Sequence, residues 1–218
     1  MKNINNFLLM SAMVFIIAAF STSCKKDYIT DGGTSNPNTS LSTYDYLKAN
    51  KYHYFDTTLL LIDHFNLKDS VNKAGTFFAF TDFSVQRFMT GFGYPSLDSL
   101  YAHTTSKLIT QYMFSDSSIT MNNATLIPVI HANWAGDTAR CAIDKVEGNY
   151  GINLVNTSPS FNYYTLQYIK INGVLDGSPN APANDPVDVA IPCQTTGIKT
   201  STGTTLHVLS NILQLNKL

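Results

Sequence analysis

Five histidines, three cysteines and one tryptophan are the side chains of this 218-residue chain best equipped for chemistry. His53, His64, His103, His131 and His207 are scattered, without the spacing that puts two ligands of a metal on one element. No H-E-x-x-H, G-x-S-x-G or P-loop pattern occurs. Among the 15 Asp and Glu residues no pair stands out as an acid and base couple. Without a catalytic constellation the expectation is a binding protein with no catalytic residues, no cofactor and no metal. Trp134, in HANWAGDT (131–138), is the candidate ligand contact. An aromatic held on a loop can stack on a sugar or anchor a protein partner. The competing reading is that Trp134 caps the core, because Trp is highly buried on average.

The two ends of the chain say where such a protein would work. Lys2 precedes an apolar run, FLLMSAMVFIIAAF (7–20), too short for the ~20 residues of a membrane span, and STSC (21–24) follows. A basic start, a short apolar run and small residues before a break form a secretory signal. Cys24 directly after small residues resembles a bacterial lipobox in its relaxed form, with Ser21 where the strict motif prefers Leu. The expected organisation is a signal peptide over 1–23, then lipidated Cys24 and a tether over 24–40, then one domain over 41–218. Gly, Pro, Asn, Ser and Thr dominate the tether and keep it flexible. The export route leads to an oxidising compartment, which permits a Cys141–Cys193 bridge; buried free thiols are the alternative. A net charge of −1 with 13% charged residues argues against a nucleic-acid partner, which needs a basic face.

The elements that must position these residues follow from hydrophobic period. Ser42 or Thr43 caps a helix over 41–50 with Tyr44 and Leu47 inward. A second helix is expected over 56–67, with Leu59, Leu60, Ile62 and Phe65 on its apolar side. GTFFAF (75–80) reads as a buried strand opened by Gly. Thr81 or Asp82 then caps a helix through Met89, with Val85, Phe88 and Met89 sharing one face. Leu97 to Phe114 recurs at helical spacing, broken near Thr104 and Thr105. Beyond it the period becomes two, with strands expected at 125–131, 140–146, 150–156 and 163–171, and a last one within 202–215. Tyr163 and Tyr164 are adjacent and so face opposite ways, one toward the core and one outward. Asn172-Gly173 is a tight-turn signal, and 178–186 is a Pro-rich loop. Helices first and strands second predict an α+β fold, with helices packed against a mostly β module.

Two segments carry a resemblance. TFFAFTDFSVQRF (76–88) resembles the first signature of the fasciclin domain family through Thr76, Phe78, Ala79, Thr81 and Asp82, with Phe80 where Pro is usual and Val85 in place of the last Phe. IKTSTGTTLHVLSNIL (198–213) is similar to the second through Gly203, Leu206, His207, Val208 and Leu209, with one extra residue after Gly203. Two motifs in this order are more specific than either alone. The resemblance implies a fasciclin-like fold over 41–218 and adhesion as the function. His207, flanked by Leu206 and Val208, is expected to be a hydrogen-bonded structural histidine. LITQYMFSD (108–116) has Tyr112 but no following His, so integrin binding is not carried over. Joined to the lipobox, the resemblance implies an outer-membrane lipoprotein of the Bacteroidetes type, held by its lipid alone and displayed at the cell surface. It would bind extracellular protein or polysaccharide. The alternative is an accessory binder of a surface glycan-uptake system, with Trp134 as its platform.

Overall fold

The structure, a computed structural model, describes residues 36–136, 141–151, 160–213 and 215. The expected signal peptide, Cys24 and the tether up to residue 35 lie outside these residues, as does the strand expected at 150–156 from residue 152 onward. The end of the expected tether is already part of the fold. Lys199 N–H donates to Pro37 O at 2.7 Å, and Thr39 N–H donates to Lys199 O at 2.9 Å.

Helices come first. Helix α1 (Thr43–Lys48) starts at Ser42, whose Oγ accepts from Asp45 N–H at 3.2 Å, as its sequence leads one to expect. Helix α2 (Asp56–His64) follows, with Leu59, Leu61 and Ile62 buried and Leu60 exposed. The expected apolar face included Leu60; four consecutive apolar residues leave the phase of a helix ambiguous, and packing chose Leu61. Helix α3 (Lys68–Lys73) buries Val71 alone, too little pattern to be seen in sequence. Strand β1 (Thr76–Ala79) leads into helix α4 (Asp82–Phe92), which buries Ser84, Val85, Phe88 and Met89. Helices α5 (Leu97–His103) and α6 (Lys107–Thr110) are separated at the expected break, where Thr104 leaves helical geometry. Met113 and Phe114 do not continue the helix; they form strand β2 (Met113–Phe114), paired to β1.

The remaining strands are β3 (Val129–Ile130), β4 (Cys141–Gly151), β5 (Ser160–Lys170), β6 (Val189–Lys199) and β7 (Thr205–Leu209). The sheet order is β2-β1-β7-β6-β5-β4-β3. β1 and β7 are parallel, and every other pair is antiparallel. The fold is thus α+β, with helices against a mixed sheet. β3 is shorter than expected; Pro128, just before it, has no N–H to give a ladder. β6 was not anticipated, because Pro192 and Gly197 interrupt its pattern. Its first part, Val189 to Pro192, pairs with β5; its second, from Cys193, pairs with β7 through two irregularities.

All of β1 and β7 is buried, so both faces of the sheet there must be covered. Phe77 and Ala79 share one face with Leu206 and Val208 by register, and join the core cluster with buried residues of the helices. On the other face, Phe78 meets Phe114 and Tyr168, each at a ring separation of 5.7 Å. Tyr168 is on β5, three strands from β1, which a flat sheet would hold about 14 Å away. The ring contact therefore records a curled sheet.

Segment 115–119 runs beside the Phe78 face of the sheet, and its backbone carbonyls accept hydrogen bonds from the sheet. Three side chains of the paired strands supply them. Thr76 Oγ1 donates to Asp116 O, Thr205 Oγ1 to Ser117 O at 2.9 Å, and His207 Nε2 to Ile119 O at 2.9 Å. His207 Nδ1 accepts from Gly197 N–H at 3.2 Å, so the proton sits on Nε2 and the ring is neutral. Gly197 can aim that N–H because it sits at φ 76°, a conformation costly for any residue with a Cβ. The ring also stacks on Phe78 at 4.7 Å. Gly203, at φ 90°, closes the tight turn into β7, its N–H on Thr200 O.

Burial pushes the His207 pKa down to about 4, outweighing the bond to Ile119 O, which favours the charged form. The unfolded chain would titrate this histidine near ~6.5. Between those values the unfolded state holds the extra proton, so stability is complete above pH ~6.5 and is lost as pH falls toward 4. The loss from this group is on the order of 3 kcal/mol. Urea denaturation across this range should show wild type losing that much more stability than His207→Gln. Parallel pH profiles for the two proteins would refute the assignment.

Candidate binding site

The sequence leads one to expect Thr81 or Asp82 to cap the helix that follows, and neither side chain does so. Thr81 occupies the N-cap position of α4 but makes no side-chain cap bond; its hydroxyl donates to Asn211 Oδ1 at 2.6 Å. That contact ties the start of α4 to the turn after β7. Asp82 caps a different helix. Its Oδ1 accepts from Thr58 N–H at 3.0 Å, in the first turn of α2, where Phe55 at the cap position offers no acceptor. Thr58 Oγ1 in turn donates to Phe80 O at 3.0 Å. Asp82 N–H donates to Tyr54 O at 2.8 Å. Asp82 therefore pins the loop before α2 and the first turn of α2, and Thr58 ties that turn to the backbone just after β1.

That loop, KYHYF (51–55), has its own hub. Asn50 Oδ1 accepts from Tyr52 N–H at 3.1 Å and Tyr54 N–H at 3.4 Å, and Asn50 O accepts from His53 N–H at 3.0 Å. His53 lies between them at φ 56°, the left-handed region, uncommon for a residue other than Gly. The Tyr52 and Tyr54 rings then lie side by side, 5.5 Å apart and 22° from parallel. Phe83, next to Asp82, stands 6.4 Å from Tyr54. These rings are exposed by 59%, 44% and 55%. With Thr57, Asp82 and Gln86 they line an open groove of about 370 Å³. Lys51 Nζ lies 4.7 Å from the centre of the Tyr52 ring, and His53 Nδ1 lies 3.2 Å from Asp56 Oδ2. Large exposed aromatics held by a hydrogen-bonded frame are the surface of this fold best arranged for contact with another molecule.

Trp134 is placed differently. Its ring is half-buried against the core, its indole N–H donates to Ser115 Oγ at 2.9 Å, and its backbone N–H donates to Met113 O at 3.0 Å. Both N–H groups of Trp134 thus serve the edge of β2. Both Tyr163 and Tyr164 are exposed, against the expectation that one faces the core; among the described residues no third strand pairs with that part of β4 and β5. Tyr163 lays its ring over Gly148, and Lys145 Nζ lies 5.3 Å from the Tyr164 ring.

Cys141 and Cys193 are both free thiols. Cys141 faces Lys170 on β5, while Cys193 follows Pro192, which faces Gln167 on the other side of that strand. Two strand spacings, about 9.5 Å, exceed the ~7 Å limit for a disulfide. The bridge that the sequence left open is therefore not formed. Burial pushes the Cys141 thiol up to about 11 and that of Cys193 higher still, so neither is a ready thiolate at neutral pH. Cys141 Sγ donates to His131 O at 3.2 Å.

A second, smaller pocket of about 110 Å³ lies beside segment 116–125, with His131 and Asp116 in its wall. Burial lowers the His131 pKa against the opposing pull of Asp116. The space suits a few waters rather than a ring-sized ligand. Among the described residues no three His, Cys, Asp or Glu side chains gather as a metal group. The groove residues Tyr52, Tyr54 and Phe83 escaped sequence reasoning. The signal for the two tyrosines was KYHYFD (51–56), rich in rings yet outside any apolar period; Phe83 lies off the apolar face of α4. No family model and no curated protein matches the chain.

Removing the Asp82 carboxylate leaves the first turn of α2 short of an acceptor. Asp82→Ala should cost about 1–2 kcal/mol in urea denaturation, and Asp82→Asn, which keeps an acceptor oxygen, clearly less. Equal losses for the two variants would mean that the cap is not what Asp82 supplies.

Proposed function

We propose that this protein is a lipid-anchored recognition or adhesion module, carried to the outer membrane by its signal and Cys24 and displayed at the cell surface. It binds an extracellular protein or polysaccharide through the Tyr52–Tyr54–Phe83 groove. The observation that carries the reading is that groove: three large rings exposed to solvent, with the backbone of the two tyrosines held by Asn50 and Asp82. Exposed aromatics lose little conformational freedom on binding and supply much contact area, which is why they dominate recognition surfaces. The resemblance to fasciclin domains supports the same reading and brings adhesion with it. The two signature segments pair with each other in parallel, Thr76 opposite Thr205 and Phe78 opposite His207. Under this reading the signatures are the frame and the groove is the working surface.

The test is a binding panel of extracellular-matrix proteins and polysaccharides, with Tyr54→Ala and Trp134→Ala alongside wild type. Tyr54→Ala should weaken a saturable interaction by about tenfold, the worth of one aromatic contact. Trp134→Ala should act on stability instead. Binding that follows Trp134 and ignores Tyr54 would move the site to the other loop.

A further inference from the structure

Resting on that reading, we propose that the groove between Tyr52, Tyr54 and Phe83 binds a neutral polysaccharide, seating a pyranose ring against the aromatic faces. A pyranose has an apolar face of C–H bonds and a rim of hydroxyls. It needs an aromatic surface with hydrogen-bonding groups at its edge. The groove has both kinds of side chain in its lining: the rings of Tyr52, Tyr54 and Phe83, and the polar groups of Thr57 and Gln86. Its volume of about 370 Å³ lies within the range of small-ligand sites, and its rings are half-exposed, so an internal unit of a chain can enter.

Charge and spacing choose among occupants. Asp82 lines the groove and Asp56 sits beside it on His53, while Lys51, the nearby cation, lies over the Tyr52 ring. Two carboxylates disfavour uronate and sulfate groups through like-charge repulsion. A proline-rich peptide would insert its rings into slots between aromatic side chains. An inserted ring needs about 7 Å between its neighbours, twice a carbon contact distance. Tyr52 and Tyr54 are 5.5 Å apart, and Tyr54 and Phe83 are 6.4 Å apart and 54° from parallel, so neither gap takes an inserted ring.

The experiment is affinity electrophoresis of the full chain in mild detergent. The gels contain neutral polysaccharides (xylan, mixed-linkage β-glucan, mannan, amylopectin) or acidic ones (alginate, polygalacturonate). Immobilised collagen and fibronectin form a separate arm. A neutral polysaccharide should retard wild type, and Tyr54→Ala and Phe83→Ala should each weaken binding about tenfold. Tyr52→Ala, at the most exposed of the three rings, is the variant least able to disturb folding and should act in the same direction. Retardation by acidic polysaccharides alone would overturn the inference, as would neutral-glycan binding that survives all three substitutions. Capture by collagen or fibronectin through Tyr54, with no neutral glycan retained, would overturn the inference and leave recognition at the groove standing. Binding in none of the arms would overturn both.

Discussion

The fold depends on one buried, neutral histidine. His207 accepts from the Gly197 N–H of β6 and donates to the Ile119 carbonyl of the segment that runs beside the curled sheet. Those two bonds use both ring nitrogens, which leaves no site for a second proton without breaking one of them. Thr76 and Thr205 extend the same lacing to the carbonyls of Asp116 and Ser117. A segment without regular structure can lie over a core only if its backbone polar groups are met. Here the paired strands β1 and β7 meet them with side chains, while Phe78 and its aromatic neighbours fill the space beneath.

The groove is built from other elements: the loop before α2, α2 itself and α4 line it. Asp82 joins Tyr54, the first turn of α2 and the start of α4, so the backbone that carries the aromatic rings is hydrogen-bonded into the fold. Tyr52, Tyr54 and Phe83 remain exposed although apolar area would gain by burial. The arrangement is the opposite of that at Trp134, where the indole N–H and the backbone N–H are both consumed within the protein.

Legibility in the sequence followed the locality of the interaction. The Ser42 cap, the break between α5 and α6 and the buried strand at β1 were legible, because neighbours within a few residues decide them. Misjudged features depend on distant partners. Met113 and Phe114 are a strand because β1 lies beside them, and β6 survives Pro192 and Gly197 because β5 and β7 hold its two halves. Leu61 displaced Leu60 inward for a similar reason. Asp82 sits where a capping residue belongs, but the loop before α2 brings another unsatisfied N–H within reach, and the carboxylate goes there.

The sequence by itself determined the order of helices before strands, the aromatic character of the core strand and the structural role of His207. Hydrophobic period and local chemistry carry that information along the chain. Only the tertiary structure decided that Cys141 and Cys193 stand on opposite sides of β5, that Trp134 serves the sheet edge, and that Tyr52, Tyr54 and Phe83 converge. Each of these depends on how separate segments of the chain are placed relative to one another. Strand pairing and helix packing set that placement, and no spacing within one segment encodes it.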